Sequence, residues 1–255
     1  MQTLCMVAQA AGREIMDVYA SDFAVRTKAD ASPLTEADLR ADAVIRNALE
    51  RAYPGVFILS EESVSTGGPG DDTFFLVDPL DGTKEFLKRN DEFTVNIALV
   101  RGGRAIAGVV VAPALGELFF AAQGLGAWQR IGGQDVALKT AAVDAGRPLR
   151  VMGSRSHGGD ALAQWLARLG SEHSFVAAGS SLKFCRIAQG LADIYPRLGP
   201  TSQWDTAAAQ AVLEQAGGAV LDARGQPLRY GLGRPMLNPH FVAVADAAMP
   251  YPALE

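Results

Sequence analysis

Leu4, Val7, Ala8, Ala11, Ile15 and Val18 recur at three- and four-residue spacing, which places them on one face of a helix running to about Tyr19. After the connector SDFAVRTKADASP, Thr35 stands where a helix N-cap belongs, and Asp38 three residues on answers it as in a capping box. This second helix turns Leu39, Ala43, the Ile45–Arg46 edge and Leu49 inward and ends at Tyr53-Pro54-Gly55. From Val56 the pattern shortens. VFILS, TFFLVD, TVNIALV, AIAGVVVAP, GELFFAAQG and AWQR are apolar runs of strand length separated by glycine turns. The stretch from Thr94 to Ala122 reads as consecutive antiparallel strands with Arg101-Gly102-Gly103-Arg104 as a hairpin tip.

Residues 131–148 lose this periodicity and predict an edge strand and a connector, so a boundary is placed near 147. Residues 1–147 then form an α+β domain. Residues 148–255 alternate strand (LRVMGS), helix (GDALAQWLARLG), strand (SFVAAG), helix (SLKFCRIAQG), strand (ADIYPRL) and helix (WDTAAAQAVLEQAGG). That order builds an α/β domain with ligand groups at the strand-to-helix turns.

Composition narrows the function classes. Of 255 residues, 49% are hydrophobic and 20% charged, far from the signature of disorder. Lys and Arg total 23 against 28 Asp and Glu, a net charge of -5, so the overall field repels nucleic-acid polymers and a phosphate-bearing ligand needs local compensation. Cys5 and Cys185 sit in apolar helical stretches and read as reduced core thiols. The first fifteen residues lack a basic leader, and no apolar run approaches the ~18 residues that span a bilayer, so a soluble cytoplasmic protein is expected.

Three acidic clusters fall at element ends: Ser60-Glu61-Glu62 after VFIL, Asp78-Pro79-Leu80-Asp81-Gly82-Thr83 after FFLV, and Trp204-Asp205 opening the alanine-rich helix. Taken singly, Glu61-Glu62 reads as a solvated loop end and Asp205 as a first-turn charge favoured by the helix dipole. The central cluster differs. Pro79 pins a turn in which Asp78 and Asp81 face one point and the Leu80 carbonyl is left free, while Gly82 and Thr83 present N–H groups to an anion at the start of TKEFLKR. Converging carboxylates repel one another unless a cation intervenes, and hard oxygen donors of this kind suit Mg²⁺. Ser154, Ser156 and His157, and then Gly179, Ser180, Ser181 and Lys183, sit at successive strand-to-helix turns suited to an anion or a base, and Tyr195 and Arg197 end the third strand.

Glu61-Glu62, DPLDGT at 78–83 and Trp204-Asp205 resemble the signature motifs of the inositol monophosphatase superfamily of Mg²⁺-dependent, lithium-sensitive phosphomonoesterases. TKADASPLTEAD at 27–38, DPLDGTKEF, GEL at 116–118, SRSH at 154–157, GSSLKFC at 179–185 and YPR at 195–197 further resemble its 3'(2'),5'-bisphosphate nucleotidase branch, the similarity running from the first helix to about Phe241. The resemblance implies a layered αβαβα fold. It implies that Glu61, Asp78 and the Leu80 carbonyl hold one Mg²⁺, that Asp78, Asp81 and Asp205 hold a second, and that a third, weaker ion sits near Glu61. Asp38 and Thr83 match the pair that orients and deprotonates the attacking water, beside Glu61. Ser154, Ser156, His157, Gly179, Ser180, Ser181, Lys183, Tyr195 and Arg197 match the nucleotide contacts, with Lys183 and Arg197 on the second phosphate and Gly82, Thr83 and Asp205 beside the scissile one.

The expected reaction converts adenosine 3',5'-bisphosphate to AMP and phosphate, and 3'-phosphoadenylyl sulfate is a second expected substrate, as part of sulfate assimilation. Two alternatives stay open: an inositol-1-phosphate or fructose-1,6-bisphosphate phosphatase, and a catalytically silent nucleotide sensor. A monomer and a homodimer are equally compatible with the sequence. Membrane association is at most peripheral, on the cytoplasmic side of the inner membrane, and no amphipathic basic stretch argues for it.

Overall fold

The computed structural model describes residues 1–22, 24–27, 33–63, 72–142, 146–154, 159–170 and 172–254. Helix α1 (Gln2–Tyr19) buries the predicted stripe. Two short antiparallel strands follow, β1 (Val25–Thr27) and β2 (Pro33–Thr35), in what the sequence presents as a connector. Helix α2 (Glu36–Ala52) opens with the predicted capping box: the Thr35 hydroxyl accepts from the Ala37 N–H, and the Thr35 N–H donates to Asp38 Oδ2 at 2.7 Å. Its buried face differs from the expected one. Ala37, Ala41, Ile45 and Leu49 turn inward together with Asp38 and Asp42, while Leu39 and Ala43 are exposed. The two acids stay inside because each is hydrogen-bonded there, Asp38 to Thr35 and Asp42 to the Ser60 hydroxyl at 2.5 Å.

Strands β3 (Phe57–Ser60) and β4 (Thr73–Asp81), helix α3 (Thr83–Leu87), and strands β5 (Thr94–Arg101), β6 (Arg104–Ala112), β7 (Glu117–Ala122), β8 (Gly126–Ile131) and β9 (Gln134–Ala137) follow. The strands form one seven-stranded sheet in sequential order, with β3–β4 parallel and the remaining pairs antiparallel. The chain continues with β10 (Leu149–Ser154), α4 (Asp160–Arg168), β11 (His173–Ala178), α5 (Leu182–Ala188), β12 (Ile194–Arg197), α6 (Ala207–Gln215), β13 (Ala219–Asp222) and β14 (Phe241–Val244). These strands make a five-stranded sheet in the order β11-β10-β12-β14-β13. The sequence pattern missed β13 and β14, which add an antiparallel edge to an otherwise parallel sheet.

The layers are set by alternation along the strands. Phe75, Val77, Ile97 and Val109 face α1 and α2, while Phe74, Leu76, Ala98 and Val110 face a core shared with α5 and α6. The five-stranded sheet closes that same core with Met152, Tyr195 and Phe241, and its far face packs Val151 and Ile194 against Trp165 of α4. The result is the expected αβαβα sandwich. The middle helix layer lies tight on the larger sheet: a Cβ at Gly108 would stand 2.1 Å from the Ala208 carbonyl oxygen. Both cysteines are buried free thiols, and burial pushes the Cys5 thiol up to about 11.

Candidate active site

The DPLDGT segment is not a turn after a strand, as the sequence suggested. Its first four residues are the bulged end of β4 itself, where Asp78 pairs with Asn96 and Asp81 pairs with Thr94. Three steps along β4 therefore match two along β5, one residue is extra, and Pro79, which has no N–H to offer a ladder, sits inside the bulge. In an unbroken strand, residues three apart point to opposite faces. The extra residue restores them to one face, opposite Asn96 and Thr94, and sends Leu80 into the core on the other side. Leu80 also donates its N–H to Asp78 Oδ1 at 3.1 Å. Gly82 then takes φ 91°, a left-handed conformation that favours glycine, and starts α3.

The other acids arrive from separate segments. Glu61 follows β3, whose last residue, Ser60, is tied to Asp42 of α2. Asp205 lies in a 3₁₀ turn, Gln203–Asp205, that precedes α6, so it is not a first-turn residue of that helix as expected. This turn has its own capping box, in which the Ser202 N–H donates to Asp205 Oδ2 at 2.8 Å. Gln203 donates to the carbonyls of Gly231 and Pro235, and Asn238 donates to the carbonyl of Ser202, which fixes the turn from behind.

Glu61, Asp78 and Asp205 each place a carboxylate oxygen within 4.8 Å of the others. Asp78 is 1% exposed, and its carboxyl is raised well above the usual carboxylate range by burial first and then by the charges of Glu61, Asp81 and Asp205. Burial and the Asp81 charge likewise raise Asp205. Asp81 is raised by burial against the opposing pull of Lys183, and its Oδ2 accepts from Asn96 Nδ2 at 3.2 Å, with the Thr94 hydroxyl oxygen 3.4 Å away. Burial thus disfavours the anionic form of a group of acids that the fold nevertheless drives together, and a divalent cation bound by hard oxygens is the chemistry that relieves it.

A cavity of 360 Å³ opens beside these acids, lined by Asp81, Gly82, Thr83, Ser154, Ser180, Lys183, Tyr195, Arg197 and Asp205 among others. Lys183 is 4% exposed, donates to the carbonyls of Ala178 and Ser180, and stands 5.2 Å from the centre of the Tyr195 ring. Burial lowers its ammonium to about 8. Arg197 donates to the carbonyls of Gly199 and Pro200. Two predicted contacts are turned inward instead: the Gly179 N–H donates to Glu92 Oε2 at 2.8 Å, and the Ser181 hydroxyl donates to the Asp205 carbonyl at 2.8 Å. Asp38 is buried in its capping box, next to the point where β2 packs on α3, the helix that begins at Thr83. The Thr83 hydroxyl lies 3.4 Å from the Leu80 carbonyl. Ser156 and His157 lie outside the described residues.

Sequence reasoning missed the residues that hold these groups in place. Asp42, Asn96 and Glu92 stand in stretches that read as helix, strand and loop. The one available signal was polarity at an inward position, as with Asn96 inside the apolar run TVNIALV. Gly179 is likewise a packing requirement, since a Cβ there would meet the Glu92 carbonyl oxygen at 2.5 Å.

An αβαβα sandwich whose larger sheet ends in clustered carboxylates beside a cavity holding a lysine and an arginine defines a class, the metal-dependent sugar-phosphatase fold. The chain belongs to the inositol monophosphatase family, whose model matches residues 1–249. It is 46% identical over 246 residues to the 3'(2'),5'-bisphosphate nucleotidase CysQ of Escherichia coli strain K12, covering 93% of this chain and 96% of that protein. Among solved structures it is similar to CysQ from Bacteroides thetaiotaomicron, with 36% identity, a TM-score of 0.80, and 93% and 94% of the two chains covered. It is also similar to the extragenic suppressor protein suhB from Bartonella henselae, with 27% identity, a TM-score of 0.80, and 96% and 93% covered. Among the described residues no helix is long and apolar enough to cross a membrane.

Proposed function

We propose that this chain is a Mg²⁺-dependent 3'(2'),5'-bisphosphate nucleotidase that hydrolyses adenosine 3',5'-bisphosphate to AMP and phosphate and also acts on 3'-phosphoadenylyl sulfate. The observation that carries the reading is the convergence of Glu61, Asp78 and Asp205 within 4.8 Å next to a cavity that also holds Lys183 and Arg197. The names of the relatives point the same way. The donors are all hard oxygens, and burial disfavours the anionic forms of Asp78, Asp81 and Asp205, which fits a pair of divalent cations. Glu61, Asp78 and the Leu80 carbonyl are assigned to one, Asp78, Asp81 and Asp205 to the other, and a third, weaker ion is assigned near Glu61.

When bound, such ions neutralise phosphate oxygens, acidify a water and stabilise the departing oxygen. The chain's own part is positioning. Asp38 and Thr83 hold and accept the proton of the attacking water. The N–H groups of Gly82 and Thr83 hold oxygens of the scissile phosphate. Lys183 and Arg197 neutralise the 5'-phosphate, and Ser154, Ser180 and Tyr195 line the ribose and base side, with Ser156 and His157 assigned to the same side. Gly179 and Ser181 shape the turn that presents Lys183. No serine, cysteine or histidine nucleophile is used, so no phosphoenzyme forms. Two buried free thiols agree with a reducing, cytoplasmic setting.

The test is phosphate release from adenosine 3',5'-bisphosphate, 3'-phosphoadenylyl sulfate, inositol-1-phosphate and fructose-1,6-bisphosphate, with and without Mg²⁺. The bisphosphonucleotide is expected to be hydrolysed fastest and only with Mg²⁺. Faster release from inositol-1-phosphate would overturn the substrate, and release unaffected by chelation would overturn the metal assignment.

A further inference from the structure

We infer that Asn96 is a positioning residue that orients the Asp81 carboxylate and, through Ser181, sets it against the segment carrying Asp205; the inference rests on the metal reading above. Asn96 lies on β5 with 1% exposure, on a face whose next inward residues are Ala98 and Val100. A polar side chain there is costly unless it is bonded, and every polar atom of its amide is. Nδ2 donates to Asp81 Oδ2 at 3.2 Å and to Ser181 Oγ at 3.0 Å, and Oδ1 lies 3.0 Å from the Thr94 hydroxyl.

The network fixes which way the amide faces. The Ser181 hydroxyl donates to the Asp205 carbonyl at 2.8 Å and also faces Asp81, and because an ionised Asp81 carboxylate can only accept, the nitrogen of the Asn96 amide is the atom on that side. The same nitrogen therefore presents a donor to Asp81. A donor there commits Asp81 Oδ2 and fixes the rotation of the carboxylate. Asn96 is also the cross-strand partner of Asp78 across the bulge. One residue thus braces two acids of β4 and, through one hydroxyl, the backbone of a third acid from a different part of the chain. Neighbours of this kind hold metal-binding groups in the geometry an ion requires.

The experiment titrates Mg²⁺ against the melting temperature of the substrate-free protein and, separately, against phosphate release. Wild type is compared with Asn96→Leu, Asn96→Asp, Ser181→Ala, Ser181→Thr and the Asn96→Leu/Ser181→Ala double variant. Asn96→Leu is expected to raise the half-saturating Mg²⁺ concentration about 10-fold in both readouts. Asn96→Asp, which turns an acceptor toward Asp81, should do at least the same. Ser181→Ala should shift it in the same direction and by less, Ser181→Thr should restore it, and the double variant should add nothing to Asn96→Leu. A lower melting temperature with an unchanged Mg²⁺ half-saturation would reduce Asn96 to a packing residue and overturn the inference. Should Asn96→Leu fail to fold, the Ser181 pair decides: an unshifted Ser181→Ala overturns it. A wild-type protein with no Mg²⁺-dependent stabilisation sinks the metal reading and this inference together, whereas a normal wild-type response with unshifted variants sinks this inference alone.

Discussion

Asp193 and Asp78 are carboxylates at 0% and 1% exposure in the same molecule, and their surroundings are opposite in sign. Asp193 accepts from Nη1 and Nη2 of Arg147, at 2.6 and 2.8 Å, and from Arg150 both the backbone N–H, at 2.8 Å, and the side chain, at 2.7 and 3.1 Å. Burial pushes its carboxyl up, but these bonds outweigh burial and leave it well below the usual range. Asp78 has Glu61, Asp81 and Asp205 for neighbours, and all of them push it the same way as burial does. A fold that supplies two arginines to one buried acid supplies none, among the described residues, to the other, and Lys183, whose charge favours ionised Asp81, is itself bonded to carbonyls. The first arrangement is complete within the chain. The second gathers carboxylates without such partners, which is the arrangement the proposed cation would complete.

The contrast is broken most directly by Asp78→Asn. Phosphate release is expected to fall by about 10³-fold or more, while the melting temperature measured in chelator is expected to rise, because a repulsive charge has been removed. A fall in chelator would mean that Asp78 is structural, like Asp193. The reciprocal change, Asp193→Ala, strands two arginines and is expected to lower stability by about 3 kcal/mol in denaturant titration, with the Mg²⁺ half-saturation of the surviving fold unchanged. Lys183→Gln separates the cation beside the acids from the acids themselves: KM for the bisphosphonucleotide should rise about 10-fold, with little change for a substrate lacking the 5'-phosphate. Equal loss on both substrates would assign Lys183 to the scissile phosphate.

The smallest effect is the most diagnostic. Asp193 has a lowered folded pKa, so its contribution is fully present above the unfolded carboxylate range of about pH 4 and is lost as pH falls through the folded value. Asp78, Asp81 and Asp205 are raised, so their contribution is present below about pH 4 and is lost as pH rises through their folded values. Metal-free protein should therefore lose stability from the acids of the site toward alkaline pH and from Asp193 toward acid pH. Mg²⁺ should flatten only the alkaline side, as thermal melts from pH 3 to about 9 with and without Mg²⁺ would record.

What could be read in advance follows from how local each feature is. The stripe of α1 and the box at Thr35 and Asp38 are encoded within a few residues, and both are found where the pattern places them. The inward face of α2 was misjudged because Asp42 is buried by its bond to Ser60, on a strand eighteen residues away, and apolar periodicity has no means of registering that. DPLDGT announced its chemistry but not its geometry: a bulge is a relation between β4 and β5, and only the register against Thr94 and Asn96 displays it. Asp205 looked like a helix-start charge because the turn that holds it is fixed by Gly231, Pro235 and Asn238, all distant in sequence. Asn96 was visible only as a polar letter in an apolar word.

Gly108 has a role that reaches the chemistry from across the sandwich. Its missing side chain lets the backbone of Ala208 come close enough that a single methyl group would collide with it, and Ala208 lies three residues beyond Asp205. The helix that follows the acid at 205 is thus seated on the sheet that carries those at 78 and 81 by two backbones in direct apposition, like a hinge pin filed flush. A methyl group there would wedge the middle helix away from the larger sheet, so the spacing of the proposed site depends on an atom that is not there.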